Sequence, residues 1–213
     1  MDSLKLAIII IPPLFLAMVL HEIAHALVAY KLGDPTAKKL NRINLNPLVH
    51  IDLVWTILVP AMLIFSGSPF VFGAAKPVPV DPRYFKNPRK DMAIVAIAGP
   101  ITNFILAGIS FGLFKLFILL TPLVESTFPE IPKLLLNWCA YSVLINIILG
   151  VFNLIPIPPL DGGRILVGIL PLRYAIKVAK LERYGFLIVI LLIILKIPQM
   201  VFSPIIEFIQ GLL

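Results

Sequence analysis

Between positions 6 and 30 the chain runs through 25 residues whose only charged or imidazole-bearing members are His21, Glu22 and His25. As a helix this run reaches roughly 36 Å, enough to cross a bilayer core of about 30 Å. Further apolar stretches follow at 53–74, 92–120, 134–155 and 184–197. Only 14% of all residues are charged and mean hydropathy is +1.02, whereas an ordinary soluble domain carries about 25% charged residues. The bilayer must therefore be the solvent for most of the chain, which predicts an all-α polytopic membrane protein. A β-barrel is disfavoured because the apolar stretches are continuous and lack period-two alternation. Residues 1–30 do not read as a signal peptide, since the run is too long and no small-residue cleavage site ends it. Residues 1–213 read as one membrane domain, with a core at 4–164 and accessory helices at 165–213.

The formal net charge of +7 does not point to nucleic acid. The Lys and Arg residues sit in short loops between apolar stretches, where they act as topology signals beside anionic headgroups, and no basic face interleaved with aromatics accompanies them. Cys139 is the single cysteine, so no internal disulfide is available. Trp55, Trp138 and the tyrosines read as interfacial anchors or packing. Alternation in KKLNRINLN, residues 38–46, predicts a short strand or hairpin after the first span, a β-like loop in a helical protein. The prolines and glycines of IPIPPLDGGR, residues 155–164, predict a departure from regular helix.

Chemistry concentrates in HEIAH, residues 21–25. On a helix His21 and His25 share a face one turn apart, so two imidazoles can reach one tetrahedral Zn²⁺ while Glu22 projects beside them as a general base. Ionisable groups at bilayer depth cost several kcal/mol and are seldom kept without a task. Two histidines leave such a site one protein ligand short. Asp161 is the best candidate for the third, because it follows an apolar span inside irregular backbone that lipid does not tolerate unless it lines protein or a water-filled cavity. As Asp-Gly it also suits an ordinary exposed turn. His50, in a polar loop, reads first as a hydrogen-bonding residue and second as a ligand.

These motifs resemble the site-2 protease family of zinc intramembrane metalloproteases. HEIAH matches the family's H-E-x-x-H, and NLIPIPPLDGGR, residues 153–164, matches its N-x-x-P-x-x-x-L-D-G block. NPLVH at 46–50 and AGPITN at 98–103 are lesser matches, and all four stand in order. The resemblance implies His21, His25 and Asp161 as ligands of one zinc, Glu22 as general base, and Asn153 as a polar group near the scissile carbonyl. It implies a minimal member without PDZ or CBS domains. Asn46, His50 and Asn103 are further candidates for contact with substrate; the loop of His50 could pair with an unwound substrate strand, and Asn103 also reads as an interhelical hydrogen bond beside the small residues Ala98, Gly99, Ala107 and Gly108.

One zinc bound by HEIAH and Asp161 requires their two helices to run parallel, hence an odd number of crossings between them. The span at 92–120 supplies one, so 53–74 is expected to dip in and return. That arrangement puts the basic loops 31–52, 76–91 and 164–183 on one side and the acidic loop 121–133 on the other. The expected topology is four crossings and one re-entrant element within four to six membrane segments, with the N-terminus outside and the site nearer the cytoplasmic face of the plasma membrane. The expected function is zinc-dependent hydrolysis of peptide bonds in transmembrane helices of other proteins, with the bilayer as the second partner. A catalytically silent zinc-binding adaptor is the alternative, against which an intact Glu22 speaks. A small transporter would show charges in several spans and repeat symmetry, and neither is visible.

Overall fold

The computed structural model describes residues 3–59, 62, 65, 75–124 and 129–213. Its helices are α1 (Ser3–Lys31), α2 (Thr36–Lys39), α3 (Pro88–Val124), α4 (Glu130–Asn153), α5 (Asp161–Ile169), α6 (Leu172–Ala179), α7 (Gly185–Ile194) and α8 (Ile197–Leu212). Among the described residues there is no strand, and three helices, α1, α3 and α4, are long and apolar enough to cross a membrane. The chain is an all-α polytopic membrane protein.

The three long helices pack together, and α5 packs on α3. Their directions follow from paired contacts. Along α1 and α4 the partners advance together: Trp138 Nε1 donates to the Ile8 carbonyl (2.9 Å), and farther along both helices His21 and Asn146 meet through Asn103. These helices therefore run parallel, as a shared site requires. α3 runs against both, since its early Val95 meets His25 and its later Asn103 meets His21. The Trp138 bond has a covalent cause. Pro12 lacks the N–H that would satisfy Ile8 four residues back, and the indole supplies the missing donor.

The chain leaves the bundle after α1 and rejoins it before α3 on the same side. Just past α1, Asp34 accepts from the Asp81 amide (2.7 Å), while Ala29, Phe85 and Val95 form one apolar cluster. The re-entrant element expected over 53–74 lies largely outside the described residues; its start is a π-helical turn, Leu53–Leu58.

The expected strand over 38–46 does not form. TAKK closes into α2, Asn41 takes a left-handed φ of 53°, and the guanidinium of Arg42 turns inward to the carbonyls of Lys76 (2.6 Å) and Pro77 (3.4 Å). Asn44 and Asn46 then bond to nearby amides, Asn46 capping the turn Pro47–His50. Alternation marked exposure here, but the polar side chains capture local backbone groups that a ladder would need. Irregular backbone after α4 is confined to 154–160, because helix resumes at Asp161. Gly162 and Gly163 thus belong to the first turn of α5. A Cβ on them would come within 2.3 Å of the Leu154 carbonyl oxygen and 2.2 Å of the Pro158 nitrogen, so their hydrogens permit the close approach that seats Asp161. The apolar stretch expected as a last crossing, 184–197, forms α7 of ten residues, about 15 Å long, which ends before Lys196 takes a left-handed φ of 56° and α8 begins at Ile197.

Candidate metal centre

α1 presents His21 and His25 one turn apart, and the loop after α4 brings Asp161 to them. The two Nε2 atoms are 3.0 Å apart, and each lies 3.2 Å from Asp161 Oδ2. All three residues are buried. The other face of each ring fixes its tautomer. His21 Nδ1 donates to Asn103 Oδ1 (2.5 Å) and His25 Nδ1 to the Val95 carbonyl (2.8 Å), so each ring turns its Nε2 toward Asp161 and leaves that nitrogen available as a metal ligand. Two imidazole nitrogens and a carboxylate oxygen converge on one point. Asp161 Oδ2 is fully buried without a hydrogen-bond donor. A metal cation at that point would satisfy all three. Ligands at about 2.0–2.1 Å in tetrahedral array lie about 3.3 Å apart, close to the triangle observed, and two imidazoles with one carboxylate form a zinc donor set with a fourth position to spare. At the first residue of α5, Asp161 also sits where the helix dipole favours a negative charge.

Gly99 of α3 closes one wall. A Cβ there would stand 2.5 Å from both Nε2 atoms, so the space between the rings depends on its being glycine. In the sequence Gly99 reads as a small residue for helix packing, and its place in AGPITN, one turn before Asn103, is the signal for more. Asn103 is completely buried behind His21, and its Nδ2 donates to Asn146 Oδ1 (2.9 Å), whose own Nδ2 donates to the Ser142 carbonyl (2.9 Å). This chain ties three helices to one imidazole. Asn146 was not singled out in the sequence, and nothing but its depth in an apolar span marked it.

Glu22 is half-buried, and its Oε2 accepts from the Val78 amide at 2.9 Å. Val78 lies in a strap, residues 75–81, that Pro77 and Pro79 bias to extended backbone. The strap is pinned by the Lys76 amide on the His50 carbonyl (2.8 Å), by Arg42 and by Asp34. His50 is buried and its Nε2 donates to the Asn44 carbonyl (2.8 Å), so this histidine stands in the support of the strap, outside the converging group. Asn46 caps its turn. Asn153, at the end of α4, donates its Nδ2 to the Leu149 carbonyl (3.0 Å). The sites expected at His21, His25, Asp161 and Asn103 are thus brought together, while Asn46, His50 and Asn153 bond elsewhere.

Comparison with known proteins adds a lineage to this geometry. The family model described as Peptidase family M50 matches residues 131–196, which include Asn153 and Asp161. The "Putative zinc metalloprotease YwhC" of Bacillus subtilis is 38% identical over 191 residues, covering 90% of this chain and 82% of that protein. Rip2 of Mycolicibacterium smegmatis, named in the same way, is 28% identical over 187 residues, covering 88% of this chain and 67% of its own length. "Zinc metalloprotease MJ0392" of Methanocaldococcus jannaschii is 29% identical over 166 residues, 76% of this chain and 34% of its own. No solved structure matches.

Proposed function

The chain belongs to peptidase family M50, the site-2 protease family, and we propose that it is an intramembrane endopeptidase cutting within or near the transmembrane helices of other proteins. It is a zinc metalloprotease and an integral membrane protein. The observation that carries the finer reading is the depth of the chemistry: two of the three converging donors and Glu22 stand on an apolar helix long enough to span a bilayer. That placement supports a peptide bond presented from the membrane.

In this reading His21, His25 and Asp161 hold one zinc. Bound there, zinc supplies Lewis acidity, lowering the pKa of water towards about 7 and polarising the scissile carbonyl. Glu22 takes a proton from the attacking water as the water oxygen bonds to the carbonyl carbon. The same proton then passes from Glu22 to the amide nitrogen as the C–N bond breaks, giving an amine and a carboxylic acid, which gives up its remaining proton to water. The Val78 amide holds one oxygen of Glu22, which leaves the other for the proton. Asn153 could donate to the developing oxyanion once its amide turns from the Leu149 carbonyl. A helical substrate must unwind first, and the loop bearing Asn46 and His50 lies beside the strap over Glu22. We place the enzyme in the plasma membrane with the site nearer the cytoplasmic face, on the bias of its basic loops.

Glu22→Gln tests the reading. It preserves size and removes the base, so zinc content should persist while cleavage of a single-span substrate in liposomes falls about 10²- to 10⁴-fold, with a chelator abolishing the wild-type rate. Equal rates for wild type and variant would remove Glu22 from the mechanism. Absence of cleavage by either protein across a broad panel of single-span substrates, with zinc bound in both, would favour the silent adaptor.

A further inference from the structure

Beyond the metal centre, α6 and the turn Lys180–Tyr184 carry a surface that hydrolysis does not use. Arg173, Lys177, Lys180 and Arg183 are all exposed there, at steps of four, three and three residues. Such steps set cations along one stripe. The single acid of the segment, Glu182, faces Arg164 at 3.5 Å, so the stripe keeps its charge. Next to it, Leu172 and Ile176 are 63% and 48% exposed, while Ala175 on the far side is buried against the protein. Arg173 and Arg183 each lie over a neighbouring tyrosine ring, 4.5 Å from that of Tyr174 and 4.6 Å from that of Tyr184.

The segment is held at both ends. α5, which leads into it, starts at Asp161, and Gly185 at its end packs so tightly that a Cβ would meet Pro159 Cδ at 2.3 Å. The stripe is therefore a fixed feature of the loop that seats Asp161.

We propose that residues 172–184 bind anionic phospholipid headgroups at the membrane surface. A topology signal needs only positive charge on one side of the membrane. It asks for neither a register of cations nor an exposed Leu-Ile strip beside them, whereas an element lying in the interface plane requires both: the strip enters the acyl boundary and the cations meet phosphate. The arginine–tyrosine pairs suit the same depth, where amphipathic rings collect. Each basic residue near an anionic surface strengthens binding roughly fivefold at moderate salt.

The test uses the full chain purified in dodecyl maltoside with an equimolar mixture of phosphatidylglycerol and phosphatidylcholine, the lipids retained being counted by native mass spectrometry. Wild type is expected to prefer phosphatidylglycerol by about tenfold or more. R173Q/K177Q/K180Q/R183Q should fall to parity, and K38Q/K39Q/K86Q/K90Q, with the same loss of charge elsewhere, should keep the preference. An unchanged preference in the first variant, or its equal loss in the second, overturns the proposal. If the first variant fails to fold, wild type alone decides: raising salt from about 0.1 to about 0.5 M should erode the preference, and a salt-independent preference overturns it.

Discussion

Asp161 closes the centre that His21 and His25 open, and its Oδ2 meets both imidazoles at 3.2 Å with no donor of its own. Removing any of the three leaves an incomplete tetrahedron, so His21→Ala, His25→Ala and Asp161→Ala are each expected to lower zinc content sharply by elemental analysis. Full zinc in Asp161→Ala would reassign the third ligand. Asn103 accepts from His21, and we propose that it positions that imidazole. Asn103→Leu keeps the bulk and deletes the acceptor, which should weaken zinc affinity about 10- to 100-fold, read by competition with a chelating dye; an unchanged affinity would make Asn103 a packing residue only. Side chains with a chemical signature were readable in the sequence: HEIAH by its spacing, Asp161 by its depth. Gly99 was not, because its contribution is the absence of a Cβ, and that shows only when a facing helix is in place. Asn153, which the resemblance implies near the scissile carbonyl, donates one N–H to the Leu149 carbonyl within α4, an i to i−4 bond that the motif does not announce.

The strap at 75–81 teaches most at the scale of the element. Its contribution to Glu22 is a backbone N–H, which every residue but proline possesses, so no sequence pattern announces it. What the sequence does contain is the spacing of Pro77 and Pro79 around Val78, which leaves a single donor between two residues that have none. Val78→Pro therefore deletes that donor in backbone already biased to the conformation proline needs, while Val78→Ala keeps it. A hydrogen bond to a charged acceptor is worth roughly 1.5–3 kcal/mol, so Val78→Pro should lower kcat about 10- to 100-fold with zinc retained, and Val78→Ala far less. Equal rates for the two variants would show that the amide does not position Glu22. The same element explains the missing strand. Arg42, within the stretch whose alternation predicts a strand, is buried and spends its guanidinium on strap carbonyls, a long-range partnership that local periodicity does not encode.

For the molecule as a whole, directionality is the property that the site imposes on the fold. Zinc chemistry by HEIAH and Asp161 is possible only if the helix before Asp161 runs parallel to α1, and that requirement was derivable from sequence alone once the two motifs were assigned to one ion. The contacts of α1, α3 and α4 follow it. They also bring the two ends of residues 32–87 together, through Asp34 and Asp81 and through Ala29 and Phe85. The chain after Tyr184 is less legible, because apolar composition predicts a crossing at 184–197, whereas α7 ends at Ile194 and Lys196 in the left-handed region separates it from α8. A fold of this parity places positions 38 and 86 on the same side of the membrane, the side to which the positive-inside bias assigns the cytoplasm. Single cysteines at Lys38 and Lys86, introduced in a Cys139→Ser background, should therefore react alike with an impermeant thiol reagent: both protected in intact cells and both labelled in inverted vesicles. A cysteine at Glu130, at the start of α4, should show the reverse pattern, because α3 separates it from Lys86 by one crossing. Labelling of positions 38 and 86 from opposite sides would require a full crossing between them, which would set α1 antiparallel to α4 and part HEIAH from Asp161.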